Sequence, residues 1–415
     1  MTASLITTLF LAAIAFSAAI RLWLNFRQSA HVRVHRAAVP APFAGSIELA
    51  AHQKAADYTL AKGQFGRVDL LWGVIWLLLL TLGGGLQLLH EALGHVINPN
   101  NLWHGVLMFG ALSVVGFIWE LPGSLYSTFV LEERFGFNKT TVAIMVKDTI
   151  KSALLSAVIG APLLWLILWL MRSMGTGWWV WTWAVLIGFN LAAMVIYPLF
   201  IAPLFNKFEP LKDEALAARI NGLLGRCGFK SKGLFVMDGS KRSGHGNAYF
   251  TGFGAGKRIV FFDTLLATLS PEEVEAVLAH ELGHFKHHHL WQRVAVFALI
   301  SLALLACLGW LSQQGAFYTG LGVQAHSEAL ALILFSTVLP VVLFPFTPLM
   351  SFWSRKHEFQ ADAYAVAHAQ AGDLVSALAK LYRDNASTLT PDPIHSLFYD
   401  SHPPAAIRIG HLRSA

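Results

Sequence analysis

Residues His280 to Ser312 read HELGHFKHHHLWQRVAVFALISLALLACLGWLS. The stretch opens on an H-E-x-x-H pattern and runs into an apolar segment, 291–312, long enough to cross a membrane. A helix start lies just upstream. Ser270 is an N-cap residue, Pro271 fits the first helical position, and Glu273 completes a capping box. Val274, Val277 and Leu278 give that helix an apolar face. Residues four apart on a helix lie roughly 40° apart around its axis, so His280 and His284 point the same way. Two such imidazoles can hold a zinc ion, and Glu281 is placed to take a proton from the water a catalytic zinc activates. A near-copy, His90-Glu91-Ala92-Leu93-Gly94-His95, has one residue too many. Five residues amount to roughly 140° of rotation, so these histidines diverge and read as a membrane-edge feature without metal.

Composition extends the membrane reading to the whole chain. Of 415 residues, 55% are hydrophobic and only 13% charged, about half the charged share of a soluble domain. Apolar stretches recur at 4–24, 69–89, 103–130, 152–171, 178–205, 291–312 and 328–350. The expected fold is therefore an all-α polytopic membrane protein of seven transmembrane helices. Pro122, Pro198 and Pro203 predict kinks or early ends in the third and fifth spans. The first span has no positive residue ahead of it and reads as an uncleaved anchor. Glu120 is ionisable within a span, which points to a water-filled space and away from lipid.

Loop charges orient the chain. The connection 25–68 carries Arg27, Arg33, Arg36, Lys54, Lys62 and Arg67, and 131–151 carries Arg134, Lys139, Lys147 and Lys151. The segment 206–290 is also basic, whereas 90–102 and 313–327 hold no Lys or Arg. The sets alternate, which places the N-terminus outside and the C-terminus and the H-E-x-x-H helix in the cytoplasm. The net charge of +6 thus reflects orientation, and no aromatic-interleaved basic element argues for nucleic acid. Cys227 and Cys307 lie in a cytoplasmic segment and a span, so no disulfide is expected.

The chain divides into spans one to five (1–205), a cytoplasmic insertion (206–290), spans six and seven (291–350) and a C-terminal cytoplasmic segment (351–415) that belongs to the same catalytic unit. The insertion reads as small and α+β. It has an amphipathic helix at Asp213–Leu224, a strand at Leu234–Met237, and strands Asn247–Thr251 and Arg258–Phe262 joined by a glycine-rich turn, Gly252–Gly256.

A catalytic zinc takes a third protein ligand and keeps one position open. Glu358 is the best candidate, and Asp362, four residues on, can accept a hydrogen bond from a ligating imidazole. His287, His288 and His289 read as structural or interfacial, and His357 should point away from the site. Asn247, Ala248, Tyr249 and Phe250 form a strand whose backbone would pair with an extended peptide if it lies at a sheet edge. His402 or Arg408 would steady the oxyanion formed when a peptide carbonyl is attacked.

These residues, in this order, resemble the type I CAAX prenyl proteases, integral-membrane zinc metalloproteases of the gluzincin kind. The resemblance rests on Glu132-Glu133-Arg134-Phe135-Gly136-Phe137-Asn138-Lys139, Ile201-Ala202-Pro203-Leu204-Phe205-Asn206-Lys207-Phe208, Lys241-Arg242-Ser243 with Asn247–Phe250, the 277–284 helix, Glu358–Asp362 and Ser401-His402-Pro403-Pro404. It implies a barrel of seven helices around a water-filled intramembrane chamber, with one Zn2+ per chain at its cytoplasmic end. It implies His280, His284 and Glu358 as ligands, Glu281 as general base, His402 and Arg408 near the scissile peptide, and Asn247 on the substrate edge. The implied reaction removes the last three residues of a prenylated CAAX protein, so the expected partners are a peptide or protein substrate and the bilayer, and the expected state is a monomer. The compact loop 313–327 and tail suggest a bacterial relative, seated in the inner (plasma) membrane. Two other readings are a quality-control protease of the related heat-shock type, which has fewer spans, and a non-enzymatic transporter or receptor, suggested only by the span count and Glu120.

Overall fold

A computed structural model describes residues 1–251 and 258–414; the expected turn Gly252–Gly256 lies outside the described residues. Among the described residues, seven helical stretches are long and apolar enough to cross a membrane. Their main helices are α1 (Ala3–His35), α2 (Leu49–Leu80), α4 (Leu102–Tyr126), α5 (Val142–Ser173), α6 (Trp178–Ile196), α9 (His289–Leu311) and α11 (Glu328–Leu343). Between them lie α3 (Gly85–Gly94), α7 (Glu214–Arg226), α8 (Pro271–Lys286) and α10 (Gly315–Gly320). After α11 come α12 (Thr347–His368), α13 (Ala371–Asp384) and α14 (Ala405–Ser414).

The spans pack in chain order, α1 on α2, α4 on α5, α5 on α6, α6 on α9 and α9 on α11, and α11 returns to α1. The turn that ends α4, Ser127–Glu132, meets α2 and closes the circuit. Only 0% to 33% of each apolar window is buried, so the spans form a barrel and not a solid bundle. At one end the barrel is filled. Leu86 of α3, Phe317 and Tyr318 of α10, and Leu330, Ile333 and Leu334 of α11 join one buried apolar cluster there.

The second span departs from expectation. The 69–89 stretch is not one helix: α2 starts at Leu49 and stops at Leu80. The glycine run Gly83-Gly84-Gly85 turns the chain, and Gly84 takes φ 78, a left-handed conformation open to glycine. A Cβ on Gly83 or Gly85 would meet the Leu79 backbone at 2.8 Å. Helix α4 continues through Pro122, and wide-turned helix follows at Ser127–Glu132 and surrounds Pro198 at Tyr197–Ile201.

The insertion forms a four-stranded sheet: β1 (Phe208–Pro210), β2 (Gly233–Met237), β3 (Ala248–Thr251) and β4 (Arg258–Phe262). The order is β1-β2-β4-β3, with β2 parallel to β4 and the other pairs antiparallel. β1 is too short to show in the sequence pattern. Strand β3 is at the edge, as its substrate reading required. Leu234, Ile259, Phe261, Ala248 and Phe250 point to one face and pack with α7, α8, α12 and α13. The segment after α4 ties the insertion to the barrel. Glu132 accepts a hydrogen bond from Tyr58 of α2, Phe135 and Phe137 pack on the Tyr58 ring, and Phe137 stacks on His245. Arg242 donates to Asp148 of α5, to Asn206 and to the Phe205 carbonyl.

Candidate active site

Helix α8 starts as its sequence dictates. The Ser270 hydroxyl accepts from the Glu273 amide, and the Glu273 carboxylate accepts from the Ser270 amide. Glu273 also accepts from Ser376 and Lys380 of α13. Lys380 and the two serine contacts hold its carboxyl below the usual range even though burial opposes the charge. Arg219 of α7 pairs with Glu272 and Glu275. The N-terminal turn is thus pinned from two sides before the helix enters the core.

The far end of α8 meets α12 at very close range. Gly283 faces Ala361, and a Cβ at Gly283 would come 2.8 Å from the Ala361 Cα and 3.0 Å from its carbonyl oxygen. Only glycine lets the two backbones approach so closely. This contact sets Glu358, three residues before Ala361, opposite the two histidines.

The geometry that results fits a metal ion. His280 Nε2 and His284 Nε2 lie 3.3 Å apart, and each is 3.4 Å from an oxygen of Glu358. Two ligand atoms held at about 2.0–2.1 Å in a tetrahedral arrangement stand about 3.3–3.4 Å apart, so the two nitrogens and the carboxylate are spaced as a cation needs. The Glu358 Oε2 atom is buried and has no hydrogen-bond partner. Among the described residues this trio is the one group of histidine, cysteine and carboxylate able to hold a metal. The protonation pattern agrees. Burial opposes a charge on His280, but its bond to Asp362 and the nearby Glu358 carboxylate prevail and raise its pKa to about 9. Burial and the neighbouring His280 push His284 down to about 3. The buried Glu358 carboxylate beside the two imidazoles leaves a negative charge that a cation would offset.

The surrounding shell fixes the ligands. Asp362 Oδ1 accepts from His280 Nδ1 at 2.8 Å, leaving Nε2 to face Glu358. Arg408 donates to both Asp362 oxygens and lies 3.7 Å from Glu358. Its guanidinium is buried behind the ligands, so of the two oxyanion candidates Arg408 is engaged and His402 is open. His402 Nε2 is 3.4 Å from Glu358 Oε1, and its side chain is 61% exposed. Glu281 follows His280, has no hydrogen-bond partner among the described residues, and is raised above the ordinary carboxylate range by burial. On the sheet edge, Phe250 of β3 packs on Phe285, the residue after His284, and the Phe262 amide donates to the Asn247 carbonyl.

One residue of the site escaped the sequence reading. Of the three histidines read as structural or interfacial, His289 takes a structural role at the site itself. Its Nδ1 is 2.9 Å from His284 Nδ1, and its Nε2 is 2.9 Å from Gln360 Oε1. The sequence does hold a trace of this, a third histidine five residues after His284 and a glutamine between Glu358 and Asp362. His357 points away from the ligands, as expected, and stacks on His289 at 3.9 Å.

Residues 28–207 match the family described as CAAX prenyl protease N-terminal, five membrane helices, and residues 210–415 match peptidase family M48. The chain is 35% identical over 404 residues to a CAAX prenyl protease 1 homolog of Arabidopsis thaliana, covering 93% of this chain and 92% of the relative. The chain belongs to peptidase family M48. It is 40% identical over 319 residues to CAAX prenyl protease 1 of Saccharomyces cerevisiae, covering 73% of this chain and 70% of that one. The crystal structure of S. mikatae Ste24p superposes with a TM-score of 0.92 at 32% identity, covering 99% of both chains. This M48 peptidase is thus an integral membrane metalloendopeptidase acting on peptide or protein substrates.

Proposed function

We propose that the protein is a zinc peptidase that removes a C-terminal tripeptide from CAAX-type substrates, with His280, His284 and Glu358 as ligands. The observation that carries the reading is the pair of imidazole nitrogens 3.3 Å apart, each 3.4 Å from a different oxygen of Glu358, with Glu281 beside them on the same helix. When bound, the zinc supplies Lewis-acid polarisation of the scissile carbonyl and acidifies water. Glu281 takes a proton from the attacking water at its carboxylate, a task its raised affinity for a proton suits, and delivers it to the leaving nitrogen. His402, exposed beside Glu358, donates to the carbonyl oxygen as that atom becomes negative. Arg408 is a positioning residue that holds Asp362 against His280. The substrate backbone pairs with the outer edge formed by Asn247 and, in β3, Ala248, Tyr249 and Phe250. The alternation of loops rich and poor in Lys and Arg supports a cytoplasmic position for this machinery, with the N-terminus outside. The four segments 1–205, 206–290, 291–350 and 351–415 act as one catalytic unit, and the active species is a monomer.

Two measurements test this. In Glu281→Gln the chain keeps its zinc, and kcat falls by about 10²–10⁴-fold; unchanged cleavage removes Glu281 as the base. Matched farnesylated and unmodified peptides, with product masses determined, test the substrate. Faster release of an intact tripeptide from the farnesylated peptide supports prenyl recognition, and equal rates remove it.

A further inference from the structure

Helix α9 leaves the active site and enters the membrane, and Arg293 is its one Asp, Glu, Lys or Arg residue. A cation in a span is costly unless it is given something to do. Arg293 has no carboxylate partner among the described residues; its guanidinium comes only within 3.5 Å of the Ser354 hydroxyl. The position of this cation and its one contact are both registered to the metal ligands. Arg293 lies four residues after His289, which touches His284, and Ser354 lies four residues before Glu358. Four helical residues rise about 6 Å, so the guanidinium sits one turn from the ligand layer on the membrane side. Its charge acts on Glu281, His284 and His402.

Beside it is a cavity of about 390 Å³, lined by Val296, Phe297, Ile300, Met350 and Trp353, with Arg293 and Ser401 also in its wall. Ser401 is hydrogen-bonded to His402, so the cavity adjoins the proposed oxyanion donor. The space is apolar, with a fixed positive charge in its wall and the catalytic centre one helical turn away. A peptide that runs past the scissile bond into this space would present apolar side chains to the aromatic and aliphatic wall. Three extended residues span at most about 10 Å, enough for the terminal carboxylate of a tripeptide to reach a cation one turn from the metal layer. Guanidinium and carboxylate match in charge and in planar geometry.

We propose that Arg293 is a specificity residue that receives the C-terminal carboxylate of the substrate, with the Phe297–Trp353 cavity taking the apolar residues between that carboxylate and the scissile bond. The inference rests on the tripeptide-releasing reading above and supplies its missing part, the feature that measures distance from the chain end.

The test uses the full-length zinc-loaded protein in detergent micelles. Two peptides of one sequence end three apolar residues beyond the scissile bond, one as the free acid and one as the C-terminal amide. The wild type is expected to prefer the acid by about 10- to 100-fold in kcat/KM, chiefly through KM, the usual scale of a charge-assisted pair. Arg293→Gln should lower the acid peptide far more than the amide, bringing the ratio toward one. Arg293→Lys should keep part of the preference. Zinc content and residual cleavage of the amide show that each variant is folded. A wild-type ratio near one, or a ratio that survives Arg293→Gln, overturns the assignment while leaving the peptidase reading intact. A wild type that cuts neither peptide overturns both.

Discussion

The chain carries two histidine pairs that look almost alike, and the structure separates them completely. His280 and His284 stand four apart on α8 and face Glu358 from another helix. His90 and His95 stand five apart at the end of α3, and His95 is its C-cap. The His90 ring meets the edge of His104, whose Nε2 is 3.2 Å from the His90 carbonyl. Glu91, in the place of the base, is exposed and accepts from Gln87. No carboxylate pairs with His90 or His95 among the described residues. One inserted residue costs the shared direction, but the larger difference is the partner helix. A metal site needs the pair and also an acid brought to it by packing.

The largest expected effect follows directly. Glu358→Ala removes the third ligand, and the purified protein should lose its zinc and fall to the uncatalysed background, more than about 10³-fold. Glu91→Gln, the matching change in the other pair, should alter neither zinc content nor rate. Metal analysis with a peptide cleavage assay reads both; zinc retained in Glu358→Ala would break the comparison.

The two glycines give the next contrast. Gly283→Ala must push α12 away from α8, because the obstructing atoms are the Ala361 backbone. A cost of about 1–3 kcal/mol in stability is expected, with weaker zinc retention since Glu358 moves with α12. Gly94→Ala meets only the Pro99 ring at 3.4 Å and should be nearly silent. Thermal unfolding with and without added zinc separates the two.

These contrasts show what could be read from the chain and what could not. The spans, the basic loops and the capped H-E-x-x-H helix are local patterns, written in hydropathy, charge and period. Glu358 and Asp362 were legible because they stand four apart beside a known need for a third ligand. The Gly283–Ala361 contact and the pairing of Arg408 with Asp362 join residues far apart in sequence, and no period announces them. His289 was missed for the same reason, since its value lies in Gln360, 71 positions away. The break at Gly83–Gly85 was hidden in an apolar run whose hydropathy continues across the turn.

Asp362→Asn sharpens the site one step outward. The amide keeps the shape but no longer offers two anionic oxygens to His280 and Arg408. Zinc affinity should fall by about 10- to 100-fold, measured by competition with a chelator. Arg408→Gln should give a similar loss of affinity if the arginine acts through Asp362; a loss of kcat with zinc affinity intact would instead return it to the oxyanion.

The smallest effect concerns how each helix begins. α3 starts at Gly84 with no side-chain cap, whereas α8 starts at a complete capping box whose Glu273 also meets Lys380. Glu273→Gln should therefore cost about 0.5–2 kcal/mol at neutral pH, the usual worth of such a cap. The cost depends on pH in a fixed direction. Folding lowers the Glu273 pKa, so the folded chain binds its proton less readily than the unfolded one. The stabilisation is then fully present above the unfolded value near 4.3 and is lost as pH falls through the lower folded value. Unfolding of wild type and Glu273→Gln in detergent should differ at pH 7 and converge toward pH 3. A difference that stays constant over that range would mean the glutamate acts through packing, and that the two helix starts differ in shape more than in charge.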